Sequence, residues 1–496
     1  MIYRSVITAR NGEPVPLFTD SRPMHSAYRP SAEKLPLSSV QGEGFFIIGG
    51  IGGGYHIQNL CTGLTNYHVM AFEADRESLD FCRQFPAVQA LEKDAQVTLC
   101  TAAELAKNLP RYYVPSIYGS LYFAAQRAWQ EENAELCRRT SEESNAVLKQ
   151  ISADYSVQSH FGKIWQHNIL SNLAAYSQNR LPAIDTSRTA AIIAAGPSLD
   201  STISILQEKR EEYIIIATDT SYGPLLARQV TPDIVLSVDG QHISSTHFFC
   251  CPPRLPSDKP PLFVFDICTS PEATKLVKSR GYPAYFIQSG HPLSLLASSY
   301  INLSFVETGA GTVTIACCDF ARLLGCKTLQ LFGADFAYSA GKPYTKGTYL
   351  DSKFLSTSRK TEPAEQSYAA LMYRTPLQQQ AEGVYTTEIL QRYAATLQEW
   401  LQKHGYEPCG DCYRNANIQP SLPSQQKRFD FPQFMAELTK QLSQAEENGQ
   451  LQQNAYTATL LPYIAYLRGR KNMDKVPVLE LFKLAYSHIS RYNEQI

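Results

Sequence analysis

The sequence predicts an α/β protein whose central domain is Rossmann-like, with a mostly parallel sheet. A smaller Rossmann-like domain precedes this domain and a helical domain follows it. Apolar strand candidates alternate with helical patterns in the middle of the chain, a glycine-rich turn follows an apolar run near its start, and helical periodicity returns after residue 361. A length of 496 residues suits about three domains. We predict domains at 1–150, 151–360 and 361–496.

The amino-acid composition argues against several classes of protein. The chain has 45 Lys and Arg against 46 Asp and Glu, so it lacks the basic surplus of a nucleic-acid-binding protein. A hydrophobic content of 44% with 18% charged residues excludes an intrinsically disordered chain. The first twenty residues contain no signal-peptide core, and no apolar run approaches the ~20 residues of a spanning helix. The sequence predicts a cytoplasmic protein without a membrane span.

The first domain is predicted from a strand, turn, helix and strand in sequence. Residues 45–48 (FFII) lead into GGIGGG, and a second apolar run closes on Glu73 and Asp75. This is the nucleotide-binding βαβ order, in which Glu73 would accept hydrogen bonds from ribose hydroxyls. The glycine spacing is closer to a methyltransferase-type loop, although such turns also occur in domains that bind nothing. Methyl transfer from S-adenosylmethionine therefore stays an alternative.

Helical patterns connect the first domain to the second. Residues 102–154 are rich in charges and helix formers, and a lead-in helix over 155–180 carries apolar residues such as Phe161, Trp165 and Leu170 at helical spacing. Pro182 ends that stretch. We predict helices throughout this connection.

The central domain is predicted from six apolar strand candidates separated by helical patterns. The candidates are residues 190–195, 213–217, 234–238, 262–266, 285–288 and 328–332. Apolar strands of this kind form parallel sheets that are covered on both faces. Ligands of such sheets bind beyond the carboxyl ends of the strands, so the site is expected there.

A phosphate-binding turn is predicted where the first central strand ends. Gly196 permits a tight turn, Pro197 fits the first turn of a helix and Ser198 can cap that helix. The free amides at a helix start favour a phosphate group.

Further candidates follow the later strands. Asp219 and Asp239 end neighbouring strands and could bracket a ribose, a base or a magnesium ion. Gly311 and Thr312 open a helix. Asp335 lies beyond the last strand and precedes two tyrosines, Tyr338 and Tyr344, whose phenols could donate hydrogen bonds to a departing nucleotide without a metal ion.

The last domain is predicted to be helical, with a proline- and glutamine-containing loop at 419–426. The Cys409-Gly410-Asp411-Cys412 spacing suits half a zinc site or a redox pair, but no second half is present. We interpret these cysteines as structural and all twelve as reduced thiols.

Five motifs in order carry a resemblance to a known family. They are GPSLD, TDTS, PDIVLSVD, TGAGTVTIACCDFARLLG and LFGADFAY. Together they resemble the motility-associated factor (Maf) flagellin glycosyltransferases, whose central domain is related to an archaeal MptE-like pterin pyrophosphokinase. GPSL followed by G-x-D-F is also similar to bacterial sialyltransferases. The resemblance covers residues 161–350 well and both ends more loosely.

The resemblance implies transfer of a nonulosonic acid, of pseudaminic or legionaminic type, from a CMP-sugar to Ser or Thr of flagellin. It implies that Gly196, Pro197 and Ser198 bind the nucleotide, that Asp219 and Asp239 line its pocket, and that Gly311 and Thr312 close that pocket. The catalytic group it implies is Tyr344, Tyr338 and Asp335. The expected donor substrate is the CMP-activated sugar, and magnesium would fit the acidic strand ends, which leaves the need for a metal ion open.

The sequence departs from the family at one position and leaves alternatives open. Family members often carry a histidine where Tyr344 lies, and a phenol is a poor base at neutral pH. Either His242, His247 or His291 acts as the base instead of the missing histidine, or the enzyme is weakened.

The sequence also leaves two other functions open. One is an ATP- and magnesium-dependent pterin pyrophosphokinase, which would also use Asp233, and the other is a non-catalytic flagellin-binding relative.

Overall fold

The computed structural model describes residues 1–37, 40–178, 181–255, 260–309, 311–423, 425–447 and 454–494. The chain forms two compact units. The N-terminal unit is Met1–Lys163 with Gln444–Leu451 and Leu460–Ser490, and the central unit is Ile164–Ser443 with Gln452–Thr459 and Arg491–Ile496. The domain boundaries drawn from the sequence at 150 and 360 stay a prediction.

The N-terminal unit contains a hairpin and a four-stranded parallel sheet. Strands β1 (Tyr3–Thr8) and β2 (Pro14–Phe18) pair antiparallel. The sheet has the order β5-β4-β3-β6, formed by β3 (Gly42–Gly49), β4 (Leu64–Glu73), β5 (Val97–Thr101) and β6 (Leu121–Ala125). The predicted strand, glycine turn, helix and strand are present, because the apolar run before the turn is buried within the sheet.

Helices surround this sheet, but the all-helical prediction for 102–154 is wrong at β6. The helices are α1 (Tyr55–Cys61), α2 (Arg76–Cys82), α3 (Pro86–Glu92), α4 (Ala102–Tyr112), α5 (Pro115–Tyr118), α6 (Arg127–Glu132) and α7 (Ala134–Ala174). The segment LYFAA forms β6 because it pairs with the buried strand β3, and this tertiary contact overrides its local preference. α7 includes most of the predicted lead-in helix.

The central unit contains a nine-stranded sheet of order β12-β11-β10-β9-β8-β7-β13-β18-β17. Its parallel strands are β7 (Thr189–Ile193), β8 (Tyr213–Thr218), β9 (Ile234–Ser237), β10 (Leu262–Asp266), β11 (Ala284–Gln288), β12 (Ser304–Phe305) and β13 (Thr328–Phe332). All six predicted strands are present. Ile192, Ile216 and Leu236 are fully buried on this sheet, as expected for strands covered on both faces.

Helices connect these strands. They are α8 (Leu199–Glu208), α9 (Asp219–Ala227), α10 (Pro271–Ser279), α11 (Pro292–Ile301) and α12 (Val313–Leu324), with a 3-10 helix at His242–Phe248 after β9. The α/β fold class with Rossmann-like parallel sheets is therefore confirmed.

The remainder of the chain is mostly helical, but it also forms β-structure that the sequence analysis missed. β14 (Tyr338–Ser339), β15 (Gln378–Ala381) and β16 (Val384–Thr386) form a small sheet, and the hairpin of β17 (Glu407–Cys409) and β18 (Cys412–Arg414) extends the large sheet antiparallel to β13. The helices are α13 (Tyr349–Thr357), α14 (Ala364–Met372), α15 (Glu388–Lys403), α16 (Phe431–Glu447), α17 (Ala455–Ala458), α18 (Leu461–Arg468) and α19 (Val478–Glu494).

Gly410 and Asp411 form the two-residue turn of this hairpin, and Cys409 and Cys412 flank it. Gly410 has a φ of +61°, which glycine adopts readily, and Cys409 lies opposite Cys412 in the pairing register. All twelve cysteines are free thiols. Among the described residues, no helix is both long enough and apolar enough to cross a lipid bilayer.

Candidate active site

The candidate site lies at the carboxyl ends of four adjacent strands of the central sheet. In the order β9-β8-β7-β13, each strand leads directly into a segment that carries a predicted site residue. Because parallel strands place their carboxyl ends at one edge, the segments that hold Ser198, Asp219, Asp239 and Asp335 leave the sheet on the same side.

The turn after β7 is closed by a carboxylate from the segment after β13. The Gly196 amide donates to the Gly333 carbonyl at 2.8 Å, and a Cβ at residue 196 would lie 2.5 Å from that oxygen, so only glycine fits. Ser198 donates its amide to Asp335 at 2.7 Å and its hydroxyl to the same carboxylate. Ser198 precedes α8 without capping it through its side chain. The amide predicted for a phosphate is therefore occupied by Asp335.

A second carboxylate fixes the same segment to the helix. Asp200, in the first turn of α8, accepts a hydrogen bond from the Thr345 hydroxyl at 2.5 Å and forms an ion pair with Arg228. The Thr345 amide donates to the Ala195 carbonyl at 2.8 Å. Residues 333–348 are thus attached to the turn at two points, and this attachment positions the two predicted tyrosines. Asp335 acts here as a residue that holds the loop.

The two acidic strand ends form one electrostatic environment. Asp219 is buried, and its oxygens accept hydrogen bonds from the Thr220 amide at 2.7 Å and the Ser237 hydroxyl at 2.6 Å. Asp239 is half-buried and accepts from the Gln241 amide at 2.9 Å. Burial raises the pKa of the Asp239 carboxyl, and the negative charge of Asp219 raises it further. The structure therefore brings these two predicted residues together.

Two phenols, Tyr344 and Tyr349, lie near these carboxylates, and Tyr338 lies near Tyr344. Desolvation raises the pKa of Tyr344, and the neighbouring Tyr338, Tyr349 and Asp219 raise it further. The pKa of Tyr349 is likewise raised by burial and by both strand-end carboxylates. These phenols stay protonated at neutral pH, so they act as hydrogen-bond donors and not as bases. We call Asp219, Asp239, Tyr338, Tyr344 and Tyr349 the strand-end cluster.

Sequence reasoning missed two residues of this region. Tyr349 begins α13, five residues after Tyr344, and its proximity to another tyrosine was the available signal. Arg374 follows α14, and its positive charge opposes the rise in the pKa of both Tyr338 and Tyr344. Nothing in the local sequence distinguishes Arg374 from the other cations of this segment.

The predicted helix opening at Gly311 and Thr312 begins α12. Gly311 has a φ of +88°, and the Thr312 hydroxyl caps the helix by accepting from the Thr314 amide at 3.1 Å. Cys317, one turn into α12, is buried, which raises its thiol pKa, and the charge of Asp219 adds to that rise. The start of α12 therefore adjoins the strand-end cluster.

The three candidate histidines occupy different environments. His291 is buried at the start of α11, where its Nδ1 accepts from the Leu293 amide at 3.1 Å, and burial lowers its pKa to about 3. His242 is exposed and lies 3.5 Å from Glu272. His247 packs against Tyr349 of the strand-end cluster, with ring centroids 4.6 Å apart. Of the three, His247 is the histidine in contact with the candidate site.

The glycine turn of the N-terminal unit is filled by its own side chains. The fully buried Glu73 carboxylate accepts hydrogen bonds from six groups, which are Tyr3 OH at 2.7 Å, Ile51 N at 2.9 Å, Gly52 N at 3.2 Å, Ala74 N at 3.1 Å, Trp129 Nε1 at 2.9 Å and Cys82 Sγ at 3.7 Å. A Cβ at Gly50 would lie 2.4 Å from Trp129. The expectation that Glu73 faces a ribose is therefore wrong in this structure.

One group in the described part of the chain has the spacing of a metal site. Oxygen or nitrogen atoms of Glu307, Asp319 and His404 lie within 4.8 Å of one another. Glu307 is already paired with Lys403 at 2.8 Å, and Asp319 with Arg322 at 2.8 Å. We interpret this group as an ion-pair cluster, since both carboxylates are already neutralised.

Comparison with known proteins identifies the class of this fold. The family model described as 6-hydroxymethylpterin diphosphokinase MptE-like matches residues 166–341, the part of the chain that holds the four strand ends. The solved structure of a MAf glycosyltransferase from Magnetospirillum magneticum AMB-1 matches with a TM-score of 0.55 at 12% identity, over 99% of this chain and 89% of that one. The protein therefore has an MptE-like central domain within the MAf glycosyltransferase fold, and the resemblance seen in the sequence is confirmed.

Two relatives from Treponema pallidum are similar to this chain in sequence. An uncharacterized protein of Treponema pallidum is 34% identical over 156 residues, which cover 31% of this chain and 74% of that protein. A second uncharacterized Treponema pallidum protein is 29% identical over 232 residues, which cover 46% of this chain and 75% of that protein. The chain belongs to the same family as the first of these proteins.

Proposed function

We propose that this protein is a glycosyltransferase that moves a nonulosonic acid, of pseudaminic or legionaminic type, from its CMP-sugar to a Ser or Thr hydroxyl of flagellin in the cytoplasm. The observation that carries the proposal is the strand-end cluster. Tyr344 and Tyr349 interact electrostatically with the strand-end carboxylates, and Tyr338 with Tyr344, at the edge where parallel sheets bind nucleotides. The MAf glycosyltransferase fold supports the same reaction class.

The phenols and the carboxylates of the strand-end cluster would have different roles in binding the CMP-sugar donor. A leaving CMP develops negative charge on its phosphate, and phenols aimed at that charge stabilise it without a metal ion. Tyr338 and Tyr344 would supply these donors, and Arg374 would add a positive charge beside them. The Asp219 and Asp239 carboxylates would repel the phosphate, so their role is to accept hydrogen bonds from the ribose hydroxyls or the cytosine amino group.

The remaining predicted residues would frame the nucleotide. Gly311 and Thr312 at the start of α12 would close the pocket beside Asp219. Gly196, Pro197 and Ser198 would contribute the turn, although a phosphate reaches the Ser198 amide only by displacing Asp335. In this proposal Asp335 acts by holding the loop that carries both tyrosines.

Thermal shift of the full chain with CMP tests the nucleotide assignment. CMP at 100 times its Kd would add about 2.7 kcal/mol of stability. Ser198→Ala and Asp239→Ala should each weaken this stabilisation without unfolding the protein. Asp411→Ala, on the exposed hairpin turn, should leave it unchanged. If neither site variant alters CMP binding, the site assignment is wrong.

A pterin pyrophosphokinase is the second candidate, and the family model over 166–341 favours it. Magnesium and ATP would then be held by Asp219 and Asp239. The expectation that Asp233 joins them is wrong in this structure, because the strand β9 separates it from Asp239. Asp233 accepts from the Ile215 amide at 2.8 Å and pairs with Arg210 at 3.0 Å, at the opposite end of β9 from Asp239. Stabilisation by ATP with magnesium and hydroxymethylpterin, but not by CMP, would establish this function instead.

Mass spectrometry distinguishes the proposed enzyme from a flagellin-binding relative without catalytic activity. Flagellin co-expressed with this protein and a nonulosonic acid pathway should gain the mass of the sugar. Binding of flagellin without a mass increase would favour the non-catalytic relative.

A further inference from the structure

The phenols of the strand-end cluster are poor bases for an acceptor hydroxyl at neutral pH. These phenols hold their protons, because desolvation raises the pKa of all three and nearby carboxylates raise that of Tyr344 and Tyr349 further. Imidazole is the side chain whose ordinary pKa, about 6.5, lies nearest neutrality, and it is the commonest general base. Besides the cluster's two carboxylates, which already accept hydrogen bonds from Thr220, Ser237 and Gln241, the histidines near the site are therefore candidates for the base.

His247 is held in place by packing while its nitrogens stay open. It lies on the 3-10 helix after β9, is half-buried, and meets the Tyr349 ring nearly perpendicularly, at 88°. Within the part of the chain that the structure describes, neither ring nitrogen of His247 forms a hydrogen bond. An imidazole fixed by its ring face, with free nitrogens, can accept a proton from a bound hydroxyl.

The strand end supplies a matching negative charge. Asp239 interacts electrostatically with His247, and the 3-10 helix is anchored to this strand end because the Ser244 hydroxyl donates to the Asp239 carbonyl at 3.2 Å. The Gln241 amide donates to the Asp239 carboxylate. The carboxylate would stabilise the imidazolium that forms during proton transfer.

The other titratable groups around this helix do not compete with His247. Glu272 of α10 pairs with the outward-facing His242, and the Cys250 thiol donates to the His247 carbonyl at 3.4 Å. Asp219 begins α9 and is engaged by neighbouring hydroxyl and amide groups. Tyr349 contributes its ring to the packing.

We propose that His247 is the general base of the transfer, balanced by Asp239, a role that rests on the proposed glycosyl transfer. The neutral imidazole takes the proton of the Ser or Thr hydroxyl as that oxygen forms a bond to the anomeric carbon of the sugar. The bond from that carbon to the phosphate oxygen breaks, and its electron pair leaves with CMP. The imidazolium then returns its proton to water.

The test compares His247→Gln with His242→Gln in the full chain. His242 is a matched control because it lies on the same 3-10 helix and is exposed. Transfer is followed by the mass of flagellin and by CMP release between pH 5.5 and 8.5, and CMP binding by thermal shift. We expect His247→Gln to lose 10²–10⁴-fold in transfer rate, to keep its CMP affinity within about twofold, and to lose the acidic limb of the pH profile.

The outcomes separate this proposal from the proposed function. If the wild-type protein neither transfers sugar nor releases CMP, the proposed function fails. If the wild-type protein transfers sugar and His247→Gln retains its rate and pH profile, His247 is not the base.

If His247→Gln is unstable, chemical rescue of His247→Ala by free imidazole provides a second test. His247→Ala creates space for free imidazole, which should restore transfer at least tenfold while His242→Gln gains nothing. A folded, CMP-binding His247→Ala protein that imidazole does not rescue would contradict the assignment.

Discussion

Replacing Glu73 by glutamine tests whether the N-terminal glycine turn is a structural element. One oxygen of Glu73 accepts hydrogen bonds from Tyr3, Ile51, Gly52 and the Cys82 thiol, and the other from Ala74 and Trp129. A glutamine keeps one acceptor oxygen and replaces the other with a donor NH₂ group. Whichever orientation the amide takes, at least two buried donors lose their acceptor.

The magnitude follows from those lost bonds. A hydrogen bond to a charged group contributes about 1.5–3 kcal/mol net. Losing two predicts that Glu73→Gln destabilises the N-terminal unit by about 3–6 kcal/mol, while removal of the buried charge offsets part of this. Glu77→Gln is the matched control, since that side chain is 77% exposed and its ion pair with the amino terminus should contribute less than about 1 kcal/mol.

Amide hydrogen exchange of the full chain measures this effect locally. Peptides from β3 and β4 should exchange more than 10²-fold faster in Glu73→Gln, because about 3 kcal/mol corresponds to that factor. Peptides from β8 and β10 serve as an internal reference. If Glu73→Gln and Glu77→Gln exchange alike, or if the wild-type chain binds S-adenosylmethionine in calorimetry, the idea of a self-filled turn is refuted.

Two further predictions concern stability. Gly162→Ala should destabilise the N-terminal unit by more than about 3 kcal/mol in urea unfolding, because a Cβ would lie 1.8 Å from the Pro462 carbonyl oxygen; Gly63→Ala, with nothing within 4 Å, should not. Burial lowers the pKa of His291 to about 3 in the folded chain. On acidification the imidazole of the unfolded chain therefore becomes protonated at a higher pH than that of the folded chain. Stability should fall below pH 6.5, towards about 1.4 kcal/mol per pH unit from this group, and His291→Gln should flatten that slope; an unchanged slope would contradict this explanation.

The sheet could be predicted from the sequence because its strands are buried. Runs such as 213–217 and 262–265 are apolar throughout, a pattern typical of strands covered on both faces. The strand 121–125 escaped prediction because its residues have mixed preferences and its pairing partner, β3, is over seventy residues earlier. Short hairpins such as 407–414 carry few residues and little periodicity, so local patterns do not identify them.

The site could be predicted only in part, because some of its contacts join residues that are far apart in the sequence. Asp219 and Asp239 follow buried strands, and topology alone brings these two residues to one edge. The bond between Ser198 and Asp335 joins residues 137 positions apart, and no local pattern predicts it. Arg374 reaches the tyrosines through the fold of residues 333–386, which the sequence does not reveal.

The carboxylate on the Ser198 amide makes this turn a site of competition. Asp335 belongs to the same chain, so it is present at a high effective concentration and must leave before a phosphate can bind the amide. The apparent affinity for such a ligand is reduced by the fraction of molecules in which the carboxylate is displaced. Glu73 occupies the other glycine turn in the same way. In this chain, the next acidic side chain beyond the strands decides whether a glycine turn is open to ligand.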